Sequence, residues 1–329
     1  MDADTNQSLL VTTIHHEAEG VVSVILEDPD RNDVPAWQPG AHLEVNLPSG
    51  SIRQYSLCGD STNHRRYQVA VLRKPHGRGG SSEIHDTGLV GKVLKIAGPR
   101  NRFELVDAPS YLFIAGGIGI TPLLAMVRSL TDRGLPWTMA YGGRTRSSMP
   151  FTAVLTELAQ QRPERATLTF VPQDEQGPLD IESILERAGD DTAIYCCGPG
   201  GLITAVEERC ARLGISGRLH VERFGAAETQ PRAARQPSED TAAFEVELRR
   251  SKATVVVEPG RSILECIRAV VPGQSSSCEE GFCGTCESRV LAGVPEHRDT
   301  ILNDAERAAN DTMFICVSRS LTPKLVLDL

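Results

Sequence analysis

The sequence lacks the features that define three large classes of protein. Basic residues do not outnumber acidic ones: 34 Lys and Arg stand against 43 Asp and Glu, and the net charge of −9 argues against a nucleic-acid binder, which presents a basic face. The longest apolar run, residues 111–127, is interrupted by three glycines and Pro122, and a membrane span needs roughly 20 residues. The amino terminus carries acids where a signal peptide has basic residues. We therefore expect a cytoplasmic protein that binds neither nucleic acid nor membrane.

The sequence also lacks the even number of cysteines that a complete disulfide framework requires. Of its nine cysteines, Cys278, Cys283 and Cys286 fall within one short segment, and Cys316 follows after a gap. In a reducing compartment, such clustering indicates a metal site rather than disulfides.

The spacing C-x4-C-x2-C, followed by a distant cysteine, is the ligand pattern of a plant-type [2Fe–2S] cluster. Four thiolates hold two irons, and Gly281 and Gly284 let the loop bend so that backbone N–H groups point at the cluster sulfurs. We expect Cys316 to close the cage from an apolar, strand-like run at 313–317. One alternative is a structural zinc site, which favours paired C-x2-C knuckles where this chain has one. The other is a set of buried free cysteines.

Three kinds of sequence follow one another along the chain. Residues 1–108 contain alternating or β-branched runs between Pro, Gly, Asn and Asp turns, which predicts a small antiparallel β-barrel. Residues 109–226 alternate short apolar strands with helical stretches, the pattern of a parallel sheet flanked by helices. The polar, proline-containing residues 227–240 predict a linker. Residues 241–329 combine strands, a short helix and the cysteine loop, so the expected fold is multidomain α+β.

A glycine-rich turn follows the first strand of the α/β segment. The run Gly116-Gly-Ile-Gly-Ile-Thr-Pro122 comes after an apolar strand and opens a helix, whose free N–H groups and glycines suit a pyrophosphate. Alternatively, the glycines serve only the close packing of strand on helix. The candidate nucleotide-binding residues of this turn are Gly116, Gly117, Ile118, Gly119, Thr121 and Pro122.

A second turn, Cys197-Gly198-Pro199-Gly200, also ends a strand and begins a helix. Two such turns at the carboxyl ends of parallel strands define one crevice, which is where these folds bind ligands. Arg144 and Arg146 follow a neighbouring strand, at a distance that suits contact with the adenosine ribose or a phosphate. Their alternative interpretation is as solvated surface side chains.

The barrel segment offers two candidates for flavin contacts. Arg53-Gln-Tyr55-Ser56, which we place between strands, combines a cation, an aromatic ring and a hydroxyl. The turn Gly77-Arg-Gly79-Gly80-Ser81-Ser82 ends in two hydroxyl residues suited to capping a helix, and such a turn can form a phosphate nest from backbone N–H groups. Each set taken singly is also an ordinary surface composition.

Together these motifs resemble the phthalate dioxygenase reductase family, within the wider ferredoxin–NADP reductase superfamily. The resemblance covers essentially the whole chain, because the flavin motifs, the two glycine turns and the cysteine loop occur in the family's order. It implies a flavin-binding β-barrel, a nicotinamide-binding α/β domain and a C-terminal β-grasp ferredoxin domain. It also implies FMN, NADH and a [2Fe–2S] cluster as cofactors.

The resemblance implies that two groups of residues hold the FMN. The flavin ring and ribityl chain would be contacted by Arg53, Tyr55 and Ser56. The phosphate would be held by the turn residues Gly79, Gly80, Ser81 and Ser82.

The resemblance also implies which residues lie near the reacting atoms. Thr121 and Cys197 would lie beside the nicotinamide–flavin stack, and with Ser56 they are the candidate catalytic residues. Phe224 looks like the family's aromatic that shields the flavin face, although a core aromatic closing the last strand fits equally. The doubled Cys196-Cys197 leaves open which thiol faces the cofactor, and Cys197 is favoured because Gly-Pro follows it.

The count of electrons predicts the mechanism. A nicotinamide gives two electrons as hydride, the cluster accepts one at a time, and a flavin can do both. We expect the monomeric reductase component of a two-component Rieske-type oxygenase or demethylase, which delivers electrons from NADH to its oxygenase partner. The alternatives are a stand-alone NAD(P)H-dependent flavin, ferric or ferredoxin-type reductase with another acceptor, and a non-catalytic redox-sensing module. NADH is preferred through the resemblance, although Arg144 and Arg146 would suit the 2′-phosphate of NADPH.

Overall fold

The computed structural model describes residues 6–74, 79–224, 243–274, 276, 281, 284–299, 302 and 304–329. Contacts divide the chain into two compact units, Met1–Phe224 and Gly225–Leu329. The expected linker at 227–240 lies outside the described residues, and the boundaries at 108 and 226 stay predictions. Within the described ranges, no helix has the length and apolar character needed to cross a membrane.

Six antiparallel strands form the barrel that begins the first unit. They are β1 (Asn6–Ala18), β2 (Val21–Glu27), β3 (Ala41–Asn46), β4 (Ile52–Ser56), β5 (Arg66–Leu72) and β6 (Val93–Asn101). Their order is β4-β3-β6-β1-β2-β5, and a bridge from Leu57 to Val69 joins the two outer strands, so the sheet closes on itself. Alternate apolar residues point inward, where they pack with Ile84 of helix α1 (Gly80–Asp86).

A parallel sheet covered by helices completes the first unit. Its elements are β7 (Ser110–Gly116), α2 (Ile120–Arg133), β8 (Trp137–Gly143), α3 (Thr152–Gln161), β9 (Ala166–Pro172), α4 (Gln173–Gln176), α5 (Ile181–Glu186), β10 (Thr192–Gly198), α6 (Gly200–Leu213) and β11 (Leu219–Arg223). The strand order is β11-β10-β7-β8-β9. Strands β7 and β10 are buried along nearly their whole length, as expected for a sheet covered on both faces.

The barrel and the parallel sheet share one hydrophobic core. Ala18, Val21 and Cys58 of the barrel pack in the same buried cluster as Phe113 and Cys197 of the sheet. The turn between β1 and β2 is also hydrogen-bonded to the turn after β8: Glu19 N donates to Ser147 O at 2.9 Å, and Ser147 Oγ donates to Glu19 Oε2 at 3.1 Å. The carboxyl ends of the parallel strands are therefore held against the barrel.

The described part of the second unit contains a mixed five-stranded sheet, a two-stranded sheet and two short helices. Its elements are β12 (Phe244–Leu248), β13 (Ala253–Val257), α7 (Ile263–Ile267), β14 (Glu287–Ala292), β15 (Pro295–Glu296), α8 (Asp304–Ala309), β16 (Thr312–Phe314), β17 (Arg319–Ser320) and β18 (Lys324–Leu327). The sheet order is β13-β12-β18-β14-β16, with β12 parallel to β18. Ser262 and Glu265 form a capping box at the start of α7, as the short helix expected here requires.

The expected multidomain α+β fold is confirmed, and three local expectations are wrong. Residues 53–56 lie inside β4 rather than between strands, because Ser56, Tyr55, Gln54 and Arg53 pair in register with β3. Ser81 and Ser82 do not cap α1, since Gly79 occupies the N-cap position and both serines lie in the first helical turn. Cys316 follows β16 in a turn instead of lying in the strand.

Candidate functional site

The two flavin motifs of the barrel meet in the structure. Strand β4 carries Arg53 and the N-terminus of α1 carries Gly80. A Cβ atom built on Gly80 would lie 2.7 Å from Arg53 Nε, so the arginine side chain lies directly against the glycine turn. A side chain at position 80 would therefore displace the arginine side chain from this turn.

Tyr55 supplies a buried polar atom with no partner. Its ring packs against the barrel cluster, and its hydroxyl has no hydrogen-bond partner among the described residues. Burial raises the pKa of Tyr55 well above its ordinary value, so the phenol stays neutral. A buried, unsatisfied hydroxyl costs stability unless a ligand or water pairs with it. The contact of Tyr55 with a flavin stays a prediction.

Ser81 and Ser82 of the glycine turn have different surroundings. Ser81 Oγ accepts a hydrogen bond from Lys74 N at 3.0 Å, which joins the start of α1 to the chain after β5. Ser82 is partly buried in the same helical turn. Gly79 has φ +84° and open space around it, as a phosphate nest requires. The roles of Gly79, Gly80, Ser81 and Ser82 toward a phosphate stay predictions.

The glycines of the two nucleotide turns serve two purposes. A Cβ on Gly116 would lie 2.6 Å from Pro199 Cδ, one on Gly198 would lie 2.9 Å from Gly116 Cα, and one on Gly119 would approach the Cys197 carbonyl to under 3.0 Å. These three glycines therefore allow one turn to pack on the other, which agrees with the alternative interpretation that the glycines serve close packing. Gly117 differs, because it has φ +54° and nothing within 4 Å of a built Cβ. Gly117 is the position with room for a ligand.

Thr121 and Pro122 lie in the first turn of α2 and are buried. Thr121 Oγ1 donates to Ile118 O at 3.0 Å, so its hydroxyl holds the short 3-10 turn that connects β7 to α2. Ile118 is partly buried against the core shared with the barrel. Thr121 therefore shapes the turn, and its direct contact with nicotinamide stays a prediction.

The two adjacent cysteines face opposite sides of the parallel sheet. Cys196 packs under α6 with Ile203 and Val206, whereas Cys197 packs in the core that the sheet shares with the barrel. Burial raises the pKa of Cys197 well above its ordinary value, so it is a neutral thiol. This placement supports the choice of Cys197, whose role at the flavin stays a prediction.

Glu222, which the sequence motifs did not indicate, joins the two halves of the site. Ser56 Oγ at the end of β4 donates a 3.1 Å hydrogen bond to Glu222 Oε2 at the end of β11. Glu222 also lies beside Cys197 in the parallel register of β10 and β11. Burial raises the pKa of Glu222 to about 8, although the bond from Ser56 acts in the opposite direction. The signal that could have indicated Glu222 is an acidic residue near the carboxyl end of a strand of the parallel sheet.

Phe224 and the two arginines lie around this centre. Phe224 follows β11 and packs, partly buried, against the core shared by barrel and sheet. Arg144 is exposed after β8, and Asp174 N donates to its carbonyl at 3.1 Å, which ties the ends of β8 and β9 together. Arg146 is paired with Glu175 at 3.5 Å, and both side chains are about half exposed. Their contacts with a nucleotide stay predictions.

The described part of the cysteine loop fits a metal centre. Cys278 and Cys283 lie outside the described residues, whereas Cys286 and Cys316 are both buried in the core of the second unit. Ile315 N donates to Cys286 O at 3.4 Å, which holds the segments of these two cysteines together. Gly281 has φ +76°, and a Cβ there would lie 2.6 Å from Val317 Cγ2. Glycine is therefore needed for the loop to lie on the chain next to Cys316.

Comparisons with known proteins assign the chain to a family. The family models "Oxidoreductase NAD-binding domain" and "2Fe-2S iron-sulfur cluster binding domain" match residues 113–208 and 246–321. Phenoxybenzoate dioxygenase subunit beta of Ectopseudomonas oleovorans is 41% identical, with 98% of this chain and 97% of that protein covered. The solved structure of phthalate dioxygenase reductase is 35% identical with a TM-score of 0.72, over 100% of this chain and 98% of that one. The chain belongs to the phthalate dioxygenase reductase family.

A larger protein contains a similar module. An intact type IV self-sufficient cytochrome P450 monooxygenase matches at 38% identity and a TM-score of 0.84, over 98% of this chain but only 41% of that protein. As a member of the phthalate dioxygenase reductase family, the chain is an oxidoreductase with the expected FMN, NADH and [2Fe–2S] cofactors. The zinc alternative for the cysteine loop is excluded by the match to the 2Fe-2S domain.

Proposed function

We propose that this chain is the reductase component of a two-component Rieske-type oxygenase or demethylase. It takes a hydride from NADH and delivers single electrons to the oxygenase. The observation that carries the proposal is the 3.1 Å bond from Ser56 to Glu222, because it joins the flavin motif of β4 to the strand beside the nicotinamide turn. A bound flavin supplies the conversion of a hydride into single electrons.

The chain's own residues position the two redox partners. Arg53 and the Gly80 turn hold a phosphate, and Tyr55 offers its buried hydroxyl to the flavin. Gly117 leaves space at the nucleotide turn, and Cys197 supplies a neutral, apolar surface that excludes water. Glu222, mostly protonated at neutral pH, presents a hydrogen-bond donor without adding a buried negative charge.

The test separates electron entry from electron exit. Anaerobic stopped-flow absorbance with NADH should show flavin bleaching in the wild type and in Cys286→Ser, because Cys286 lies in the second compact unit. Reduction of cytochrome c or an oxygenase should be lost in Cys286→Ser alone. Cys266→Ser is the matched control, since this partly exposed cysteine lies in α7 outside the loop. Unchanged delivery by Cys286→Ser would favour the stand-alone flavin reductase instead.

The partner is identified by capture under conditions that preserve the cluster. The chain should retain a Rieske oxygenase component from cells grown on an aromatic carboxylate, and it should support single turnover of that component with NADH. The match to a cytochrome P450 fusion makes a haem monooxygenase the second candidate partner, which a carbon monoxide difference spectrum of the captured protein would reveal. A cytoplasmic monomer is proposed as well, to be tested by fractionation and by light scattering.

A further inference from the structure

One buried hydroxyl contacts two of the loops at the nucleotide crevice. Tyr141 of β8 is fully buried, and its hydroxyl lies 3.1 Å from Gly117 O and 3.2 Å from Pro150 O. Gly117 belongs to the glycine-rich turn after β7 and is the position with room for a ligand. Pro150 ends the loop after β8 that carries Arg146, which we call the arginine loop (residues 144–150). The phenol therefore joins the turn expected to bind the pyrophosphate to the loop expected to lie near the adenosine ribose.

The phenol of Tyr141 is the donor in both contacts. A carbonyl oxygen accepts hydrogen bonds and carries no hydrogen, so the hydrogen must come from the hydroxyl. Burial raises the pKa of Tyr141 well above its ordinary value, and the hydroxyl therefore keeps its hydrogen at neutral pH. One hydrogen is shared between two carbonyl oxygens, as in a three-centre bond.

Fixing the carbonyl of Gly117 also fixes the next N–H group. The peptide bond between Gly117 and Ile118 is trans, so this carbonyl oxygen and the N–H of Ile118 point in opposite directions. Since the oxygen faces the buried phenol, the N–H faces away from it, and it makes no hydrogen bond among the residues that the structure describes. An N–H group directed out of a glycine turn at the start of a helix is suited to a phosphate oxygen.

The alternative role of Tyr141 is that of a core aromatic. Its ring packs edge-on against Phe170 at 6.1 Å and belongs to the core shared by barrel and sheet. Packing of the ring accounts for tyrosine and phenylalanine equally well, whereas the two carbonyl contacts need the hydroxyl. A variant that removes the hydroxyl alone therefore separates the two roles.

We propose that Tyr141 is a positioning residue for the dinucleotide. Its hydroxyl holds the Gly117 carbonyl inward, so that the N–H of Ile118 is presented to the pyrophosphate, and its contact with Pro150 O keeps the arginine loop beside that turn. The inference rests on the proposed function, because it requires NADH as the electron donor. Tyr141 acts through these backbone groups and does not itself touch the reacting atoms.

The experiment uses the full chain loaded with flavin and cluster. Flavin bleaching is followed anaerobically at several NADH concentrations, with and without ADP-ribose, a competitor that has the pyrophosphate and adenosine but no nicotinamide. Tyr141→Phe should raise the apparent Kd for NADH and the inhibition constant of ADP-ribose by the same factor, about three- to tenfold, as loss of one hydrogen bond does. The limiting rate of bleaching should stay within about twofold, because the nicotinamide, once bound, meets the same flavin.

Tyr111→Phe is the matched control. Tyr111 of β7 is also buried, and its hydroxyl donates to Val106 O at 3.1 Å, near the amino end of β7 and at the opposite end of this strand from the glycine turn. This variant should lose about as much thermal stability as Tyr141→Phe, while both constants stay at their wild-type values.

A side chain with two donor hydrogens provides the rescue. The amine of p-aminophenylalanine at position 141 keeps the ring and offers one hydrogen to each of the two carbonyl oxygens. Both constants should therefore return to the wild-type values or fall below them. A general loss of packing would not be corrected in this way.

Unchanged constants in Tyr141→Phe would overturn the proposal, and so would equal increases in Tyr111→Phe, since these indicate a structural role. Constants that stay above the wild-type values with p-aminophenylalanine would also overturn it. Flavin content and thermal melting identify a misfolded Tyr141→Phe, in which case the p-aminophenylalanine variant carries the test by itself. Failure of NADH to bleach the wild type would instead refute the proposed function.

Discussion

Gly119 lies against the carbonyl oxygen of Cys197, so close that a Cβ on Gly119 would approach it to under 3.0 Å. This contact joins the turn after β7 to the turn after β10. Gly119→Ala should therefore push the turns apart and destabilise the fold by about 1–3 kcal/mol, as overpacking of a tight interior does. NADH binding should weaken as well, because the crevice lies between the same turns. Urea unfolding and NADH titration of the flavin absorbance measure the two effects.

The matched control for this change is Gly201→Ala. Gly201 lies in the first turn of α6, has nothing within 4 Å of a built Cβ and is exposed. Alanine should leave stability unchanged or raise it by up to about 1 kcal/mol, because it lowers the entropy of the unfolded chain. Equal loss of stability in both variants would contradict the packing argument.

Glu222 should make stability depend on pH. Its pKa rises from an ordinary value of 4.5 to about 8 in the folded state, so between these values the folded protein holds a proton that the unfolded chain has lost. The free energy of unfolding should fall as pH rises through this window, by at most about 1.4 kcal/mol per pH unit from this group. Glu222→Gln should make the free energy of unfolding less dependent on pH between pH 5 and 8, reducing the slope by roughly that amount. Urea unfolding at several pH values checks this outcome.

Ser56→Ala gives the complementary test. The hydroxyl lowers the pKa of Glu222 by bonding to it, so its removal should move the Glu222 titration to higher pH. Difference infrared spectroscopy of the buried carboxyl band measures this shift. An unchanged pKa of Glu222 in Ser56→Ala would show that, in the protein in solution, Ser56 is not hydrogen-bonded to this carboxyl group.

The fold could be predicted from the sequence because local patterns of apolar residues and glycines determine where its strands and turns lie. Alternating apolar residues specify the strands of the barrel, and glycine turns after apolar runs mark the ends of β7 and β10. The contact between Ser56 and Glu222 could not be predicted this way, because the two residues are 166 positions apart and periodicity carries no information on long-range pairs. The two roles of glycine in the nucleotide turns could not be predicted from the sequence either. Gly119 is needed for packing and Gly117 leaves room for a ligand, but the sequence shows only a glycine at each position and does not distinguish the two roles.

The cysteine loop should depend on Gly281. Its φ of +76° and the 2.6 Å distance from a built Cβ to Val317 Cγ2 leave no room for a side chain. Gly281→Ala should therefore lower iron to well below two atoms per chain and weaken the EPR signal of the dithionite-reduced protein. Gly273→Ala, at an open position of the same unit, should keep its iron. Full iron content in Gly281→Ala would show that the loop adapts around the methyl group.

Nucleotide preference should respond to the ion pair between Arg146 and Glu175. The carboxylate of Glu175 in α4 lies 3.5 Å from the guanidinium of Arg146 in the turn after β8, where the adenosine ribose is expected. Glu175→Gln should leave the arginine charge available to the 2′-phosphate of NADPH and remove a negative charge that repels it. Since exposed pairs contribute about 1 kcal/mol or less, the ratio of kcat/KM for NADPH to that for NADH should rise about three- to fivefold. Glu182→Gln, which removes a partner of Arg209 on the α5–α6 surface, is the control and should leave the ratio unchanged. If Glu175→Gln also leaves it unchanged, Arg146 is a surface side chain with no part in nucleotide choice.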